Sequence, residues 1–318
     1  MPSEFDLIRN YFTRPARRTV LSVGDDAALL RVAAGQELAV STDMLLVERH
    51  FFAEDDPEAL GHKALAVNLS DMAAMGATPR WALLSIALPE VNERWLTRFA
   101  QGWFALAEQQ GVALIGGDTT KGPLTFSVTI MGEVPKGQAL RRAGAKAGDE
   151  IWVSGTLGDA ALALAYLQRR LQLTPHDAAA VLPRLHRPTP RVKLGKKLLG
   201  LANSAIDISD GLLADLGHIL QASNVGAEIQ FEALPVSSAL RAYLTHDAAR
   251  KAVLAGGDDY ELCFTAKAAR HDDIVRFGRR LKLPLTCIGT ITRKRGLIVR
   301  DAKQQALTIE ETGFDHFA

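Results

Sequence analysis

Aspartate is the residue type in this chain whose placement most suggests chemistry. Aspartates recur beside glycine or at the ends of apolar runs, in Gly24-Asp25-Asp26, Ser41-Thr42-Asp43, Gly116-Gly117-Asp118-Thr119-Thr120, Asp207-Ile208-Ser209-Asp210-Gly211 and Gly256-Gly257-Asp258-Asp259. Asp71 stands in KALAVNLSDMAAMG (63–76), a run apolar almost all round that predicts a buried helix. Asn68 and Asp71 are three apart and share one face of it. An Asp beside Gly is also an ordinary turn former or helix cap. A carboxylate within a buried helix is different, because it is costly unless paired or metal-bound.

If these groups converge, electrostatics restricts what lies among them. Two carboxylates 4 Å apart repel by about 4 kcal/mol at an effective dielectric near 20, so a cluster needs cations. Oxygen donors from Asp, Ser and Thr favour Mg²⁺ or Mn²⁺ over Zn²⁺, and Mg²⁺ held by carboxylates normally also binds phosphates. Glycine beside aspartate lets backbone N–H groups approach phosphate oxygens. Neither GxxxxGK[ST] nor GxGxxG occurs, which disfavours a P-loop ATPase, a protein kinase and a Rossmann dehydrogenase.

Composition narrows the class further. The 318 residues set an expectation of two domains, and 47% hydrophobic content is that of an ordinary globular protein. Lys plus Arg number 37 against 36 Asp plus Glu, so there is no basic footprint for nucleic acid and no polybasic membrane patch. The longest apolar stretch, Ala160–Leu167, is far short of a membrane span, and the N-terminus shows no signal-peptide core, so the expectation is cytoplasmic. Cys263 and Cys287 sit in apolar strand-like runs without metal spacing and read as structural thiols.

The elements that must position the aspartates alternate in type. Strands are expected over 38–42 (ending in Asp43), 80–88, 112–115 and 124–134, with helices over 57–75 and 93–110. The segment 135–149 is rich in Gly, Ala and basic residues and lacks apolar periodicity; it predicts the domain boundary. Strands near 151–154, 205–208, 227–231, 260–265, 287–291 and 297–300, and a helix from Asp159, make the second half α/β or α+β as well.

Taken in order, GDDAA (24–28), STDMLLVERHF (41–51), KALAVNLSDMAAMGATP (63–79), LIGGDTTKGP (114–123), RRAGAKAGD (141–149), VSGTLGD (153–159), HRPTPR (186–191), AIDISDGL (205–212) and GGDDYELCF (256–264) resemble the thiamine-monophosphate kinase family. The resemblance covers essentially the whole chain. It implies the two-domain α/β (α+β) fold of the aminoimidazole ribonucleotide synthetase superfamily. An N-terminal ATP/Mg-binding and dimerisation domain (1–137), whose sheet pairs across a homodimer, would precede a C-terminal domain (148–318) that completes the active site. The implied reaction is ATP plus thiamine monophosphate giving ADP plus thiamine diphosphate. Several Mg²⁺ ions would be held at Asp26, Ser41, Thr42, Asp43, Asp71, Asp118, Asp207 and Asp210. Gly117, Asp118, Arg142 and Ser209 fall at ATP-contact positions, with Arg142 a charge stabiliser on a mobile lid. His50, Asp258 and Phe314 fall where the family contacts the thiamine moiety. Phe314 replaces an expected Tyr or Trp, and Asp258 stands where Glu is equally expected.

The competing readings are a selenophosphate synthetase or ribonucleotide ligase of the same superfamily, and a non-catalytic nucleotide-binding protein. The first would carry a reactive Cys in its N-terminal region, whereas both cysteines here lie far downstream.

Overall fold

A computed structural model describes residues 3–16, 18–23, 26–307 and 313, and the chain divides into two units. The first comprises residues 1–72 and 77–139; the second comprises 73–76 and 140–318. Among the described residues no helix is long and apolar enough to cross a membrane.

In the first unit the elements are α1 (Glu4–Leu7), β1 (Thr19–Leu21), β2 (Leu29–Leu30), β3 (Gln36–Leu46), α2 (Pro57–Ala74), β4 (Thr78–Leu88), α3 (Glu93–Gln110), β5 (Ala113–Lys121) and β6 (Thr125–Pro135). Four strands form a sheet in the order β3-β6-β4-β5, in which only β4 and β5 run parallel. Strand alternation gives the sheet one buried face, with Leu45, Phe126, Val128, Ile130, Ala82, Leu84 and Ile86. Helices α2 and α3 cover it: Phe126 stacks on Phe99 at 4.8 Å between centroids, and a Cβ on Gly132 would lie 2.8 Å from Met72 Sδ. The two helices touch backbone to backbone. A Cβ on Gly61 would lie 2.0 Å from Phe99 O, and one on Gly102 would lie 1.8 Å from Glu58 O.

The opposite face is covered in part, where Trp81, Ile115 and Met131 pack with Ala16, Ala28 and Leu30 around the β1–β2 ribbon. Along β3 it is open, with Leu38, Val40, Met44 and Leu46 exposed at alternate positions.

The second unit contains β7 (Asp149–Ser154), α4 (Asp159–Leu167), α5 (Pro175–His186), α6 (Val192–Leu198), β8 (Ser204–Ile208), α7 (Leu212–Ser223), β9 (Gly226–Gln230), α8 (Ser238–Arg241), α9 (Asp247–Ala255), β10 (Glu261–Lys267), α10 (His271–Leu281), β11 (Leu285–Thr292) and β12 (Gly296–Arg300). Its six-stranded sheet has the order β12-β9-β11-β7-β10-β8, antiparallel except for β12 with β9. Ile151, Val153, Ile206, Ile208 and Cys263 pack with helical Leu162, Val181, Leu216 and Val253. Both cysteines are free, and burial pushes the Cys263 thiol up, as befits an unreactive core residue.

Two local expectations change. Asp43 does not end a strand; it lies inside the eleven-residue β3. Gly116–Thr120 do not form a turn but continue β5, because β4 pairs with them as far as Lys121. Their glycines disguised a strand, since Gly and Asp are poor strand formers on propensity alone.

Candidate functional site

In the first unit the helix rule and the strand rule bring one carboxylate set together. Helix α2 is buried over 59–74 except at His62 and Asp71. Asp71 is therefore half-open rather than sealed, and Ser41 Oγ on β3 donates to its Oδ2 at 2.5 Å. Asp43, two residues beyond Ser41, projects from the same face of the strand. Thr42 projects from the other face, where its Oγ1 lies 2.9 Å from Val128 O and 3.1 Å from Thr129 Oγ1.

Asp118 is placed differently. The ladder runs Met44–Ser127–Ser85–Asp118, one rung beyond Asp43–Val128–Leu84–Gly117. Asp118 thus shares the open face of Thr42 and Met44. It is three strand spacings, about 14 Å, from β3. Gly117 has φ +147°, and a Cβ there would lie 1.8 Å from Leu84 O, so only glycine fits. Asp26 is exposed in the bend between β1 and β2. His50 closes the turn after β3: Leu46 N–H donates to its Nδ1 at 3.0 Å, and buried Lys63 donates to its carbonyl at 3.2 Å. The Nδ1 bond leaves the ring proton of a neutral imidazole on Nε2.

The second unit carries the other set. Asp207, 6% exposed, is the penultimate residue of β8. Ser209 and Asp210 follow in a turn held by Asp215 of α7, whose Oδ2 accepts the N–H groups of Ser209, Asp210 and Gly211, each at 3.1 Å. Burial, with the Asp210 carboxylate beside it, pushes the Asp215 carboxyl up to about 7. Asp258 N–H donates to Ser209 O at 2.8 Å, and its Oδ1 accepts the Tyr260 hydroxyl at 2.8 Å, so the GGDD loop lies against the Asp207–Asp210 turn.

Arg142 is exposed, and the backbone around it is hydrogen-bonded to distant residues. Its carbonyl accepts from Ser223 Oγ at 3.2 Å, the same Oγ accepts Gly144 and Ala145 N–H at 3.1 Å each, and Arg141 O accepts Ala205 N–H at 3.0 Å. Phe314 lies outside the described residues. Its neighbour Gly313 packs by the same turn, where an added Cβ would lie 3.0 Å from Asp210 O.

Among the described residues no three His, Cys, Asp or Glu side chains form a ready-made metal cage. The donors that do assemble are hard oxygens, which suits Mg²⁺ bound by one or two carboxylates together with phosphate and water. Sequence reasoning missed Asp215 and Glu261, and gave Asp259 of the GGDD run no role of its own. Their signal was the one used for Asp71, a carboxylate within a segment that must be buried.

Fold and donor set together define the class: residues 24–134 match the AIR synthase related protein N-terminal domain, and residues 146–302 match its C-terminal domain. The chain is 48% identical to thiamine-monophosphate kinase of Escherichia coli (strain K12), over 99% of this chain and 98% of that protein. The crystal structure of thiamine-monophosphate kinase from Stenotrophomonas maltophilia K279a superposes with a TM-score of 0.86 at 51% identity, covering 92% of this chain and 93% of that one. AaThiL complexed with AMPPCP and TMP superposes with a TM-score of 0.79 at 34% identity, covering 90% and 89%. The chain belongs to the thiamine-monophosphate kinase family.

Proposed function

We propose that the chain transfers the γ-phosphoryl group of ATP to the phosphate of thiamine monophosphate, giving ADP and thiamine diphosphate. The observation that carries this is the likeness to kinases of that name through 99% of the chain, which takes in both carboxylate sets. In the first unit Asp26, Ser41, Asp43 and Asp71 would hold Mg²⁺, with Thr42 and Asp118 offered from the open face of the sheet, and in the second Asp207 and Asp210. When bound, the metal supplies neutralisation of the phosphate charges.

The residues of the chain then have limited work to do. The acceptor phosphate has a second pKa of about 6 and is mostly dianionic at neutral pH, so no residue need act as general base. Gly117 brings backbone close to the nucleotide, with Ser209 a further ATP contact. Arg142, on its fastened loop, offers a guanidinium to charge developing on the transferred group. His50 Nε2–H in the first unit and Asp258 in the second are assigned to thiamine contacts, as is Phe314, a residue type suited to the cationic thiazolium.

A homodimer belongs to the same proposal. It is supported by the open face of β3, where Leu38, Val40, Met44 and Leu46 are 42%, 57%, 55% and 40% exposed. Asp118 projects from that face and lies three strands from Asp43, so the proposal assigns it to the site of the second copy.

The test is incubation of purified protein with ATP, Mg²⁺ and thiamine monophosphate, with thiamine diphosphate followed by chromatography. Metal-dependent product from the monophosphate, absent with EDTA and absent with thiamine, is the expected result. ATP hydrolysis without thiamine diphosphate would transfer the reading to another acceptor.

A further inference from the structure

Asp258 sits in unusual backbone. It has φ +66° and Tyr260 has φ +49°, left-handed conformations that side chains other than glycine rarely adopt. Such strain persists only where surrounding structure over-determines it. Tyr260 N–H donates to Ile208 O and Asp258 N–H to Ser209 O, both at 2.8 Å, so one side of the turn is sewn to the end of β8.

The other side is held by buried carboxyl groups. Asp259, 2% exposed, accepts Gly158 N–H with Oδ1 at 3.0 Å and Oδ2 at 2.8 Å. Glu261, 0% exposed, is gripped from three directions. Its Oε1 accepts Arg184 Nη2 at 2.7 Å, and its Oε2 accepts Ser154 Oγ and Arg191 Nε, each at 2.6 Å. Arg191 Nη2 also donates to Oε1, completing a two-pronged pair, and Arg184 Nη2 reaches Asp259 O at 3.4 Å. A Cβ on Gly155 would lie 2.1 Å from Glu261 Oε1, so the VSGTLGD loop is shaped to admit this carboxylate. Setting two part-buried guanidinium groups against a fully buried Glu brings little net stability, because desolvation offsets their attraction. The network makes better sense as a device that fixes one geometry.

We infer that Glu261, clamped by Arg184 and Arg191, is a positioning residue that holds the Asp258–Tyr260 turn and so sets where the Asp258 carboxylate stands relative to the Asp207–Asp210 turn. The inference rests on the proposed role of Asp258 as an acceptor contact. It gives a task to HRPTPR, the motif that ends in Arg191 and that the reaction itself leaves unused.

The test compares wild type, Arg191→Lys and Asp258→Asn by steady-state kinetics and by hydrogen exchange of the peptide spanning 256–260. Arg191→Lys keeps the charge but loses the fork. It is expected to raise KM for thiamine monophosphate by about ten-fold and leave KM for ATP within about two-fold. Exchange at 256–260 should quicken by about ten-fold, with α7 unchanged. Asp258→Asn is expected to raise the same KM without altering exchange. Unchanged exchange at 256–260, exchange raised everywhere, or equal rises in both KM values would overturn the clamp. Should Arg191→Lys fail to fold, Glu261→Gln takes its place. If the wild type makes no thiamine diphosphate, the kinase proposal falls, while exchange alone still judges the clamp.

Discussion

Ser41 and Asp71 meet at 2.5 Å from a strand and a helix thirty residues apart, which fixes one carboxylate oxygen while the side chain stays half-open. If Asp71 is a metal ligand, Asp71→Asn lowers kcat by about 100-fold or more, with the melting temperature little changed, because the amide keeps the Ser41 bond but loses the charge. Near-normal turnover would remove Asp71 from the ligand set. Asp215 makes a different prediction, since its carboxyl moves from 3.8 to about 7 on folding. A folded pKa above the unfolded one gives stability that is fully present below about pH 4 and lost as pH rises to about 7. In metal-free protein the stability difference between wild type and Asp215→Asn should therefore fall across that window and flatten above it, as chemical denaturation at several pH values would show. Asp71 could be read from sequence, because a charge in an apolar helix announces itself. The partners of Asp215 could not: its three backbone donors precede it by four to six residues in a turn, and only the folded turn aims them at one oxygen.

Helix α3 shows how much local chemistry can fix. Asn92 Oδ1 accepts Trp95 N–H at 3.0 Å, and Gly111, at φ +72°, ends the helix, so both ends follow from residues at the boundary. Strand β5 shows the opposite. Its Gly-Gly-Asp stretch suggests a turn until β4 supplies partners, and pairing across the sheet overrides propensity. The bonds that fasten the loop carrying Arg142 are likewise invisible in sequence, because the hydroxyl that makes them, Ser223 Oγ, is 79 residues away from Gly144. At this scale the α2–α3 contact is the point to test. With backbone carbonyls 2.0 and 1.8 Å from an added Cβ, Gly61→Ala or Gly102→Ala must push the helices apart. A loss of about 1–3 kcal/mol in denaturant unfolding is expected for either. A neutral result would mean that the helices separate freely.

For the molecule as a whole, the open β3 face carries the proposed assembly. Val40→Glu places a charge at the centre of the exposed apolar row and should convert the proposed homodimer to monomer in light scattering or sedimentation, with activity lost if Asp118 serves a second copy. A wild-type monomer at micromolar concentration would reject the dimer. Composition and spacing made two α/β domains legible, but nothing local shows that residues 73–76 group with the second unit. That small transposition limits how the gene can be cut. A fragment beginning at residue 140 lacks Met75, whose carbonyl receives Leu140 N–H at 3.1 Å, and Ala73, whose backbone lies 1.9 Å from where a Cβ on Gly195 would be. The two halves of the coding sequence are therefore not the two halves of the protein, and recombination between related genes at the apparent linker would inherit a second unit missing a piece of itself.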